Sequence, residues 1–453
     1  MSLRFASFAA VSVGLLLTGC PLTDHYQLLQ QGAAGADTAG SFGSLAGGEK
    51  SVVDAGEPEL GGAPSVTAGT GGSEPETAGK AGCAIACSTG RACEANRCAG
   101  GWVATAPPPS KLVARSKAAS VAMGNAVFIW GGLDNDGAGL ANGAIYEPRR
   151  DTWTLLPTDP GSPTARIMAT AVWTGNGSNK VIVYGGTDAS GINTYKDGAI
   201  YDPLDNSWSP LPINPMTSKR SAPFGYWDGT RAVFFGGLNG ANMVAAGDRF
   251  DLKMWSVSTN MGDPGPLGYS AIAVDGPAMF LQGGVIGTTR QDKVYTYTSS
   301  TDRWASLSKG PSVRTGAFGA WDGAHFVVWG GQDDNGLRND GKTLSGTVWN
   351  DMSASDVLSA RRIGFRRSGW AFQVEPGVIA MLGGQTSISG SSGGLASDGA
   401  TYAIASEEWT AIPSWPSQET HEYGIGVWTG EEFVIWGGRD QNVSTLTGER
   451  WAP

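Results

Sequence analysis

The sequence predicts an all-β protein built from a repeated unit of four short antiparallel strands, and two periodic patterns support this prediction. The first pattern is a short apolar run that ends in two glycines and recurs about every 50 residues, a spacing typical of repeat architectures. Each run is rich in β-branched and aromatic residues, which favours a buried strand. The seven glycine pairs are Gly131–Gly132, Gly185–Gly186, Gly236–Gly237, Gly283–Gly284, Gly330–Gly331, Gly383–Gly384 and Gly437–Gly438.

The second pattern is a Tyr or Phe after most glycine pairs, followed five or seven residues later by Trp. These pairs are Tyr146 and Trp153, Tyr201 and Trp208, Phe250 and Trp255, Tyr297 and Trp304, and Tyr402 and Trp409. Turn signals such as Trp227-Asp228-Gly229 precede several of the apolar runs and indicate hairpins. Each unit is therefore expected to contain one strand before the turn, one ending in Gly-Gly, one carrying Tyr and one carrying Trp.

The charge of the chain limits the classes of partner. A net charge of −10 and a pI of about 4.9 give no electrostatic attraction to nucleic acid, and no basic stripe with interleaved aromatic residues occurs. We therefore expect no nucleic-acid partner. Because most Trp and Tyr residues occupy repeat positions, packing between units explains them better than stacking on sugars.

These spacings resemble the kelch repeat, particularly that of bacterial kelch proteins, over about Trp102 to Pro453. The resemblance implies a seven-bladed β-propeller over residues 99–453, with four antiparallel strands per blade. The seventh glycine pair is followed by Trp451 in the Tyr position but by no further Trp strand, and residues 102–107 could supply that strand. The last blade is then closed by an N-terminal strand, which removes exposed sheet edges.

The fifth unit departs from the pattern, with Trp349 in the Tyr position and Asp356 where Trp is expected. We expect this blade to be the least well packed. The kelch resemblance implies little about activity, because propellers serve many functions.

Residues 1–20 have the layout of a lipoprotein signal peptide. Arg4 precedes an apolar segment that is too short to span a bilayer as a stable helix. The sequence Leu17-Thr18-Gly19-Cys20 resembles the bacterial lipobox, in which the cysteine becomes the lipidated residue; an ordinary secretory signal is the alternative. Because Pro21, and not Asp, follows Cys20, we expect a lipid anchor in the outer membrane of a Gram-negative cell envelope.

Two further segments separate the signal from the repeats. Residues 21–82 are rich in Ala, Gly, Ser and Thr and are expected to be a disordered tether. Residues 83–98 form a small cysteine-rich segment with Cys83, Cys87, Cys93 and Cys98. An even number of cysteines in an exported chain favours two disulfides, with three connectivities open. A four-thiolate zinc site is the alternative, but the usual Cys-x2-Cys spacing is missing.

A basic residue stands before most of the units, usually sixteen residues ahead of the glycine pair. These residues are Arg115, Arg166, Arg220, Arg314, Arg367 and His421, whereas Leu267 breaks the pattern. In a propeller they are expected near the mouth, together with the Asp residues that follow several glycine pairs. Arginine suits either a ligand carboxylate or a neighbouring Asp, and both alternatives remain open.

Catalytic and metal-binding patterns are weak. Asp134-Asn135-Asp136-Gly137 and Asp333-Asp334-Asn335-Gly336 faintly resemble calcium loops, but turn chemistry explains them more simply. No catalytic triad or paired-carboxylate pattern stands out. We expect no metal and no cofactor, and the sequence favours a binding protein over an enzyme.

The sequence thus predicts a monomeric, lipid-anchored cell-envelope protein that uses a kelch propeller to bind a protein or surface polymer, or to act as a scaffold. The alternative is an envelope enzyme that acts on carbohydrate or another small ligand at the propeller mouth. A purely architectural surface protein is a third possibility.

Overall fold

The computed structural model describes residues 89, 91–94, 97–98, 100–214, 219–245, 247–307, 310–353, 366–387, 394–440 and 443–453. The predictions for the signal peptide with Cys20, the tether, Cys83, Cys87 and Asp356 lie outside these residues. Strands dominate the described part of the chain, which also contains one short helix. No helix in this part is long and apolar enough to cross a bilayer.

The described chain begins with a small hairpin and one further strand. In the hairpin, Cys93 lies directly opposite Cys98 in the backbone register. The three strands are β1 (Cys93–Glu94), β2 (Arg97–Cys98) and β3 (Gly101–Ala104).

Within the described residues, the main elements are seven four-stranded antiparallel sheets, numbered 1 to 7 in chain order. Sheet 1 contains β4 (Ala119–Met123), β5 (Ala126–Trp130), β6 (Gly143–Glu147) and β7 (Thr152–Leu155). Sheet 2 contains β8 (Thr170–Trp173), helix α1 (Gly175–Ser178) as a connection, β9 (Val181–Tyr184), β10 (Gly198–Asp202) and β11 (Ser207–Pro210). Sheet 3 contains β12 (Phe224–Trp227), β13 (Ala232–Phe235), the hairpin β14 (Leu238–Asn239) and β15 (Asn242–Met243), then β16 (Gly247–Phe250) and β17 (Trp255–Val257).

The remaining sheets follow the same order. Around sheet 4 lie β18 (Leu267–Gly268), β19 (Ala271–Asp275), β20 (Ala278–Gln282), β21 (Val285–Ile286), β22 (Thr289–Arg290), β23 (Val294–Thr298) and β24 (Arg303–Leu307), of which β18, β21 and β22 form a separate small sheet. Sheet 5 contains β25 (Phe318–Trp321), β26 (Phe326–Trp329), the hairpin β27 (Gln332–Asp333) and β28 (Gly336–Leu337), then β29 (Gly341–Ser345) and β30 (Val348–Asp351). Sheet 6 contains β31 (Trp370–Glu375), β32 (Val378–Leu382), β33 (Gly399–Ala403) and β34 (Glu408–Ile412). Sheet 7 contains β35 (Ile425–Trp428), β36 (Phe433–Trp436), the hairpin β37 (Arg439–Asp440) and β38 (Val443–Ser444), then β39 (Gly448–Ala452), and β3 is its fourth strand.

The hydrophobic core lies between successive sheets. The residue before each glycine pair is aromatic in most sheets and packs against the Trp of the next sheet, with ring centroids 6.0 Å apart for Trp130 and Trp208 and 5.2 Å apart for Trp436 and Trp153. Such contacts contribute roughly 0.5–1.5 kcal/mol beyond area burial. The prediction that the repeated aromatic residues are packing residues agrees with this arrangement.

The indole N–H groups link the same sheets. Each donates to a carbonyl oxygen in the chain segment that precedes its own sheet: Trp153 to Ala106, Trp208 to Pro157, Trp255 to Pro212, Trp304 to Thr259, Trp409 to Ser353 and Trp102 to Pro413. A buried indole N–H without an acceptor would be destabilising, so this repeated bond explains why the position holds Trp.

The strand register changes one assignment in sheet 5. Trp349 lies opposite Leu344, as Trp153 lies opposite Tyr146 in sheet 1. The prediction that Trp349 holds the Tyr position was therefore wrong, because Leu344 occupies that position and Trp349 the Trp position. The spacing of five residues equals that of Phe250 and Trp255 in sheet 3.

Sheet 7 combines strands from distant parts of the chain. In it β3 pairs with β39, and Trp102 lies opposite Trp451. The first strands of sheets 1, 2 and 3 lie side by side, as do those of sheets 4, 5 and 6, and β35 of sheet 7 packs beside β4 of sheet 1. The Trp102 ring is 5.7 Å from that of Trp415 and 6.5 Å from that of Phe433.

Candidate functional site

In six of the seven sheets a basic residue lies four positions before the first strand, and its side chain is buried. The six are Arg115, Arg166, Arg220, Arg314, Arg366 and His421, while sheet 4 has Leu267 there. Each arginine donates from Nη1 to the carbonyl oxygen of the first glycine of its own sheet, at 3.0 Å for Gly131, 3.0 Å for Gly185, 2.8 Å for Gly236, 3.0 Å for Gly330 and 3.3 Å for Gly383.

Each guanidinium also reaches an acidic or amide side chain of the same sheet, through Nη1 in Arg166 and through Nη2 in the other four. Their acceptors are Asn142, Asp197, Asp248, Asp340 and Asp398. Burial lowers the pKa of Arg115 to about 10 and also lowers the pKa of Arg314 and of Arg366. The four predicted mouth residues Arg115, Arg166, Arg220 and Arg314 thus point into the protein, where they hold the start of each sheet against its glycine pair.

Arg366, and not the predicted Arg367, is the member of this set in sheet 6. Arg366 donates to the carbonyl oxygen of Asp398 at 3.0 Å and to its carboxylate at 2.6 Å. A β-bulge between Gln373 and Glu375 adds one residue to β31, so counting back from the glycine pair reaches the wrong arginine. Arg366 is found by counting four residues back from the start of the first strand. The Asp or Asn that precedes the glycine of most third strands is a second signal, because it is the partner of the buried arginine.

His421 replaces arginine in sheet 7. Its Nδ1 lies 2.7 Å from the carbonyl oxygen of Gly437 and its Nε2 lies 3.1 Å from Oε2 of Glu449. A carbonyl oxygen only accepts, so Nδ1 is the donor in the first contact. Both side chains are almost completely buried, and His421 makes the same link as the arginines of the other sheets.

The His421–Glu449 pair makes stability depend on pH. Burial raises the pKa of Glu449, but the hydrogen bond and the charge of His421 outweigh it and hold the pKa below its usual range. Because the pKa is lower in the folded state, this pair stabilises the fold above the unfolded-state pKa, and its contribution is lost as pH falls through the folded-state pKa. Between about pH 6 and pH 3, the free energy of unfolding should fall more steeply for the wild type than for Glu449→Gln. Parallel profiles in urea unfolding would contradict this.

The glycine pairs make close approaches between sheets. A Cβ on Gly131 would lie 2.8 Å from the carbonyl oxygen of Arg166 in the next sheet, and a Cβ on Gly132 would lie 2.7 Å from that of Ser116. Both glycines also have positive φ, at 73° and 105°. Only glycine satisfies both requirements at low cost. In sheet 7, the N–H of Gly438 donates to the carbonyl oxygen of Arg115 at 2.8 Å, which links the last sheet to the first.

A set of strained backbone positions lies two residues beyond the six buried basic residues and beyond Leu267. We call these the belt residues: Lys117, Met168, Ala222, Tyr269, Gly316, Ser368 and Tyr423, all with φ between 45° and 65°. For a residue other than glycine, this left-handed conformation costs about 1–2 kcal/mol. Such strain persists where the surrounding structure fixes it, and it is often found at ligand-binding sites.

Main-chain hydrogen bonds join the belt residues from sheet to sheet. The N–H groups of Lys117, Met168, Ala222, Gly316 and Ser368 donate to the carbonyl oxygens of Tyr423, Lys117, Met168, Tyr269 and Gly316, at 2.9, 3.0, 2.7, 2.8 and 2.7 Å. Each bond crosses from one sheet to the preceding one, and the first crosses from sheet 1 to sheet 7. The belt therefore fixes the ends of neighbouring first strands at one common level.

Charged and aromatic side chains gather at the belt where sheets 7 and 1 meet. Lys117 Nζ lies 4.8 Å from the ring centroid of Tyr423. Burial raises the pKa of the neighbouring Glu422, although the charges of Arg439 and Lys117 oppose the shift. Arg367, Lys117 and Glu422 are only half-buried. Of the six residues predicted to lie at the mouth, Arg367 is the one with substantial exposure.

The acidic loops after the glycine pairs form turns. Asp134 Oδ1 accepts from the backbone N–H groups of Asp136 and Ala138, and Asp333 Oδ1 accepts from those of Asn335 and Gly336. These bonds are the turn chemistry that the sequence favoured over calcium binding. Among the described residues there is no group of three or more His, Cys, Asp or Glu side chains placed to hold a metal ion.

Comparison with known proteins agrees with this geometry. Residues 117–310 match the family model described as the KLHDC2/KLHL20/DRC7 Kelch-repeats domain. The match supports a kelch β-propeller. The matched range includes sheets 2 and 3, which carry Arg166, Arg220 and the belt residues Met168 and Ala222.

Two individual proteins are also similar to this chain. Alpha-scruin of Limulus polyphemus is 26% identical over 180 residues, which is 36% of this chain and 18% of that protein, so the chain spans less than a fifth of that relative's length. The solved structure titled "Structure of YjhT" is 17% identical, with a TM-score of 0.47, and the alignment covers 68% of this chain and 99% of that chain.

Proposed function

We propose that this chain is a lipid-anchored cell-envelope protein that binds a protein or a surface polymer at the mouth of a closed, seven-bladed kelch propeller. In this proposal the seven sheets are the blades of one ring, and β3 closes the last blade. The lipid on Cys20 holds the protein at the outer membrane, and residues 21–82 carry the ring away from the membrane surface. The ring is monomeric.

The observation that carries the binding proposal is the presence of two half-buried cations at this level, Lys117 on the belt and Arg367 next to the belt residue Ser368. The belt fixes the backbone by hydrogen bonds between main-chain atoms, so the side chains of Lys117 and Tyr423 start from a rigid frame. A preorganised site loses little conformational entropy when it binds. Lys117 and Arg367 provide cations for acidic groups of a partner.

The position of these side chains also supports a binding role. They lie at the same end of the sheets as the connections between second and third strands, which form the hairpins β14–β15, β27–β28 and β37–β38. These hairpins present exposed residues such as Asn239 and Val443. Binding residues are commonly found on loops held by a rigid scaffold.

The test compares partner capture from envelope extract by three full-length variants. The mouth variant combines Lys117→Ala and Arg367→Ala. Its matched control combines Leu204→Ala and Met254→Ala, which lie in exposed turns at the opposite end of sheets 2 and 3. We expect the mouth variant to lose at least about tenfold in affinity for the captured partner, equivalent to roughly 1.4 kcal/mol, and the control to keep it. The third variant, Cys20→Ala, should keep binding but leave the membrane fraction.

Two results would contradict this function. Equal capture by the mouth variant and the wild type, with both folded, would remove the mouth as the binding surface. Retention of Cys20→Ala in the membrane fraction would remove the lipid anchor.

A further inference from the structure

Sheet 7 differs from the other sheets in how its third and fourth strands are joined. In sheet 2 a short turn connects β10, which ends at Asp202, to β11, which begins at Ser207. In sheet 7 no turn can play this part, because β3 precedes every other strand of the seven sheets and β39 follows them all. The two strands are nevertheless adjacent, since a Cβ on Gly100 would lie 2.8 Å from the carbonyl oxygen of Pro453.

The Arg91 side chain reaches three parts of sheet 7 from the segment ahead of β3. Its Nη1 donates to the carbonyl oxygen of Gly101 on β3 at 3.0 Å, and its Nη2 donates to that of Arg450 on β39 at 3.4 Å. Its Nε donates to Glu432 Oε1 at 2.9 Å, next to the start of β36. One guanidinium thus bonds to both strands that lack a connecting turn.

The group around Arg91 is buried and nearly complete in its hydrogen bonds. The side chains of Arg91, Glu432 and Arg450 are only 2%, 4% and 0% exposed. Arg450 Nη1 donates to Glu432 Oε2 at 2.9 Å, and its Nη2 donates to the carbonyl oxygen of Thr89. A buried ionic group of this kind is sensitive to the loss of a member, because the remaining charges and carbonyls stay in a medium of low dielectric constant.

The backbone of the same segment also bonds to sheet 1. The N–H of Thr89 donates to the carbonyl oxygen of Arg149 at 2.9 Å. Arg149 lies in the turn between β6 and β7, and its side chain pairs with Glu431 of sheet 7. Thr89 and Arg91 therefore cover the boundary between sheets 7 and 1.

We propose that Thr89 and Arg91 form a clamp that replaces the missing turn of sheet 7 and controls whether β3 stays paired with β39. This proposal rests on the closed ring proposed above. The clamp lies between the tether and β3 in the sequence. A mechanical force applied to the tether therefore acts on Thr89 and Arg91 before it acts on β3. Release of the clamp frees β3 and exposes the edge of β39 to a strand from another chain.

The test is backbone hydrogen exchange on the full-length protein. We compare the wild type, Arg91→Ala and Arg91→Lys with Arg150→Ala, whose arginine is exposed on the neighbouring turn. The amide of Thr105, which donates to the carbonyl oxygen of Gly448, and the amides of β3 report on the clamp, while those of β7 report on an equivalent strand of sheet 1.

We expect Arg91→Ala to reduce protection of the β3 amides by about tenfold or more, and to leave β7 unchanged. Arg91→Lys should give an intermediate loss of protection. The planar guanidinium donates to three acceptors from three nitrogens, whereas the single nitrogen of an ammonium cannot reach all three. Arg150→Ala should have no effect. Unchanged β3 protection in Arg91→Ala, or an equal loss in all sheets, would overturn the clamp. If β3 is already unprotected in the wild type, the closed ring itself fails, which is a different result.

Discussion

A chain that begins at Arg115 is expected to melt at least about 10 °C below one that begins at Cys83. The shorter chain lacks β3 and with it Trp102, whose ring packs on Trp415 and whose indole N–H bonds to Pro413. Removing a fully buried Trp side chain typically costs about 3–5 kcal/mol, and the half-buried Trp102 contributes part of that. The deletion also removes Ala106, whose N–H donates to Asp151 at 2.7 Å and whose carbonyl oxygen accepts from Trp153.

An intermediate chain that begins at Ala99 separates the contributions of β3 and of the clamp. It keeps β3 but lacks Arg91, so it should melt between the other two. The measurement is thermal unfolding followed by tryptophan fluorescence at matched protein concentration. Equal melting temperatures for the chains that begin at Ala99 and Arg115 would contradict closure by β3.

Replacement of Arg314 by leucine is expected to destabilise the fold by about 2–4 kcal/mol. The guanidinium donates to the carbonyl oxygens of Gly330 and Asp340, at 3.0 and 3.1 Å, and to Asp340 Oδ2 at 3.0 Å. In Arg314→Leu the carbonyl oxygen of Gly330 stays buried without this donor. In sheet 4 the corresponding residue is Leu267, so leucine fits this position when its partner differs. The partner differs because Lys293 of sheet 4 occupies the position that Asp340 has in sheet 5.

Urea unfolding of Arg314→Leu, Arg314→Lys and Arg303→Ala checks this. Arg314→Lys should lose less than Arg314→Leu, because the ammonium keeps one of the bonds. Arg303 is exposed on β24, so its removal should change the free energy of unfolding by less than about 0.5 kcal/mol. If Arg314→Leu and Arg303→Ala lower the free energy of unfolding by the same amount, the buried arginines do not stabilise the sheets.

Features that repeat along the chain could be predicted from the sequence. The glycine pairs, the Tyr–Trp pairs and the basic residues recur at nearly fixed spacing, since each sheet has the same close approaches to satisfy. Trp102 and Trp451 could be placed opposite each other by the same comparison. The assignments of Arg367 and Trp349 failed where a bulge or a short turn changed the count by one or two residues.

Features that depend on contacts between distant residues could not be predicted. Arg91 and Glu432 are 341 positions apart, and nothing in the local sequence of either indicates the other. The belt was also missed, because six of its seven residues are not glycine and do not signal a positive φ. Their conformation follows from the neighbouring sheets and not from residue type.

The belt also bears on how this protein can diversify. Its bonds use main-chain atoms alone, so they place no demand on side-chain identity, and its members range from Gly316 and Ala222 to Tyr269 and Lys117. Substitution of Lys117, whose side chain is half-buried, can therefore change what the surface recognises while the links between sheets stay intact. Selection for new specificity and selection for a stable fold act on different atoms of the same residues.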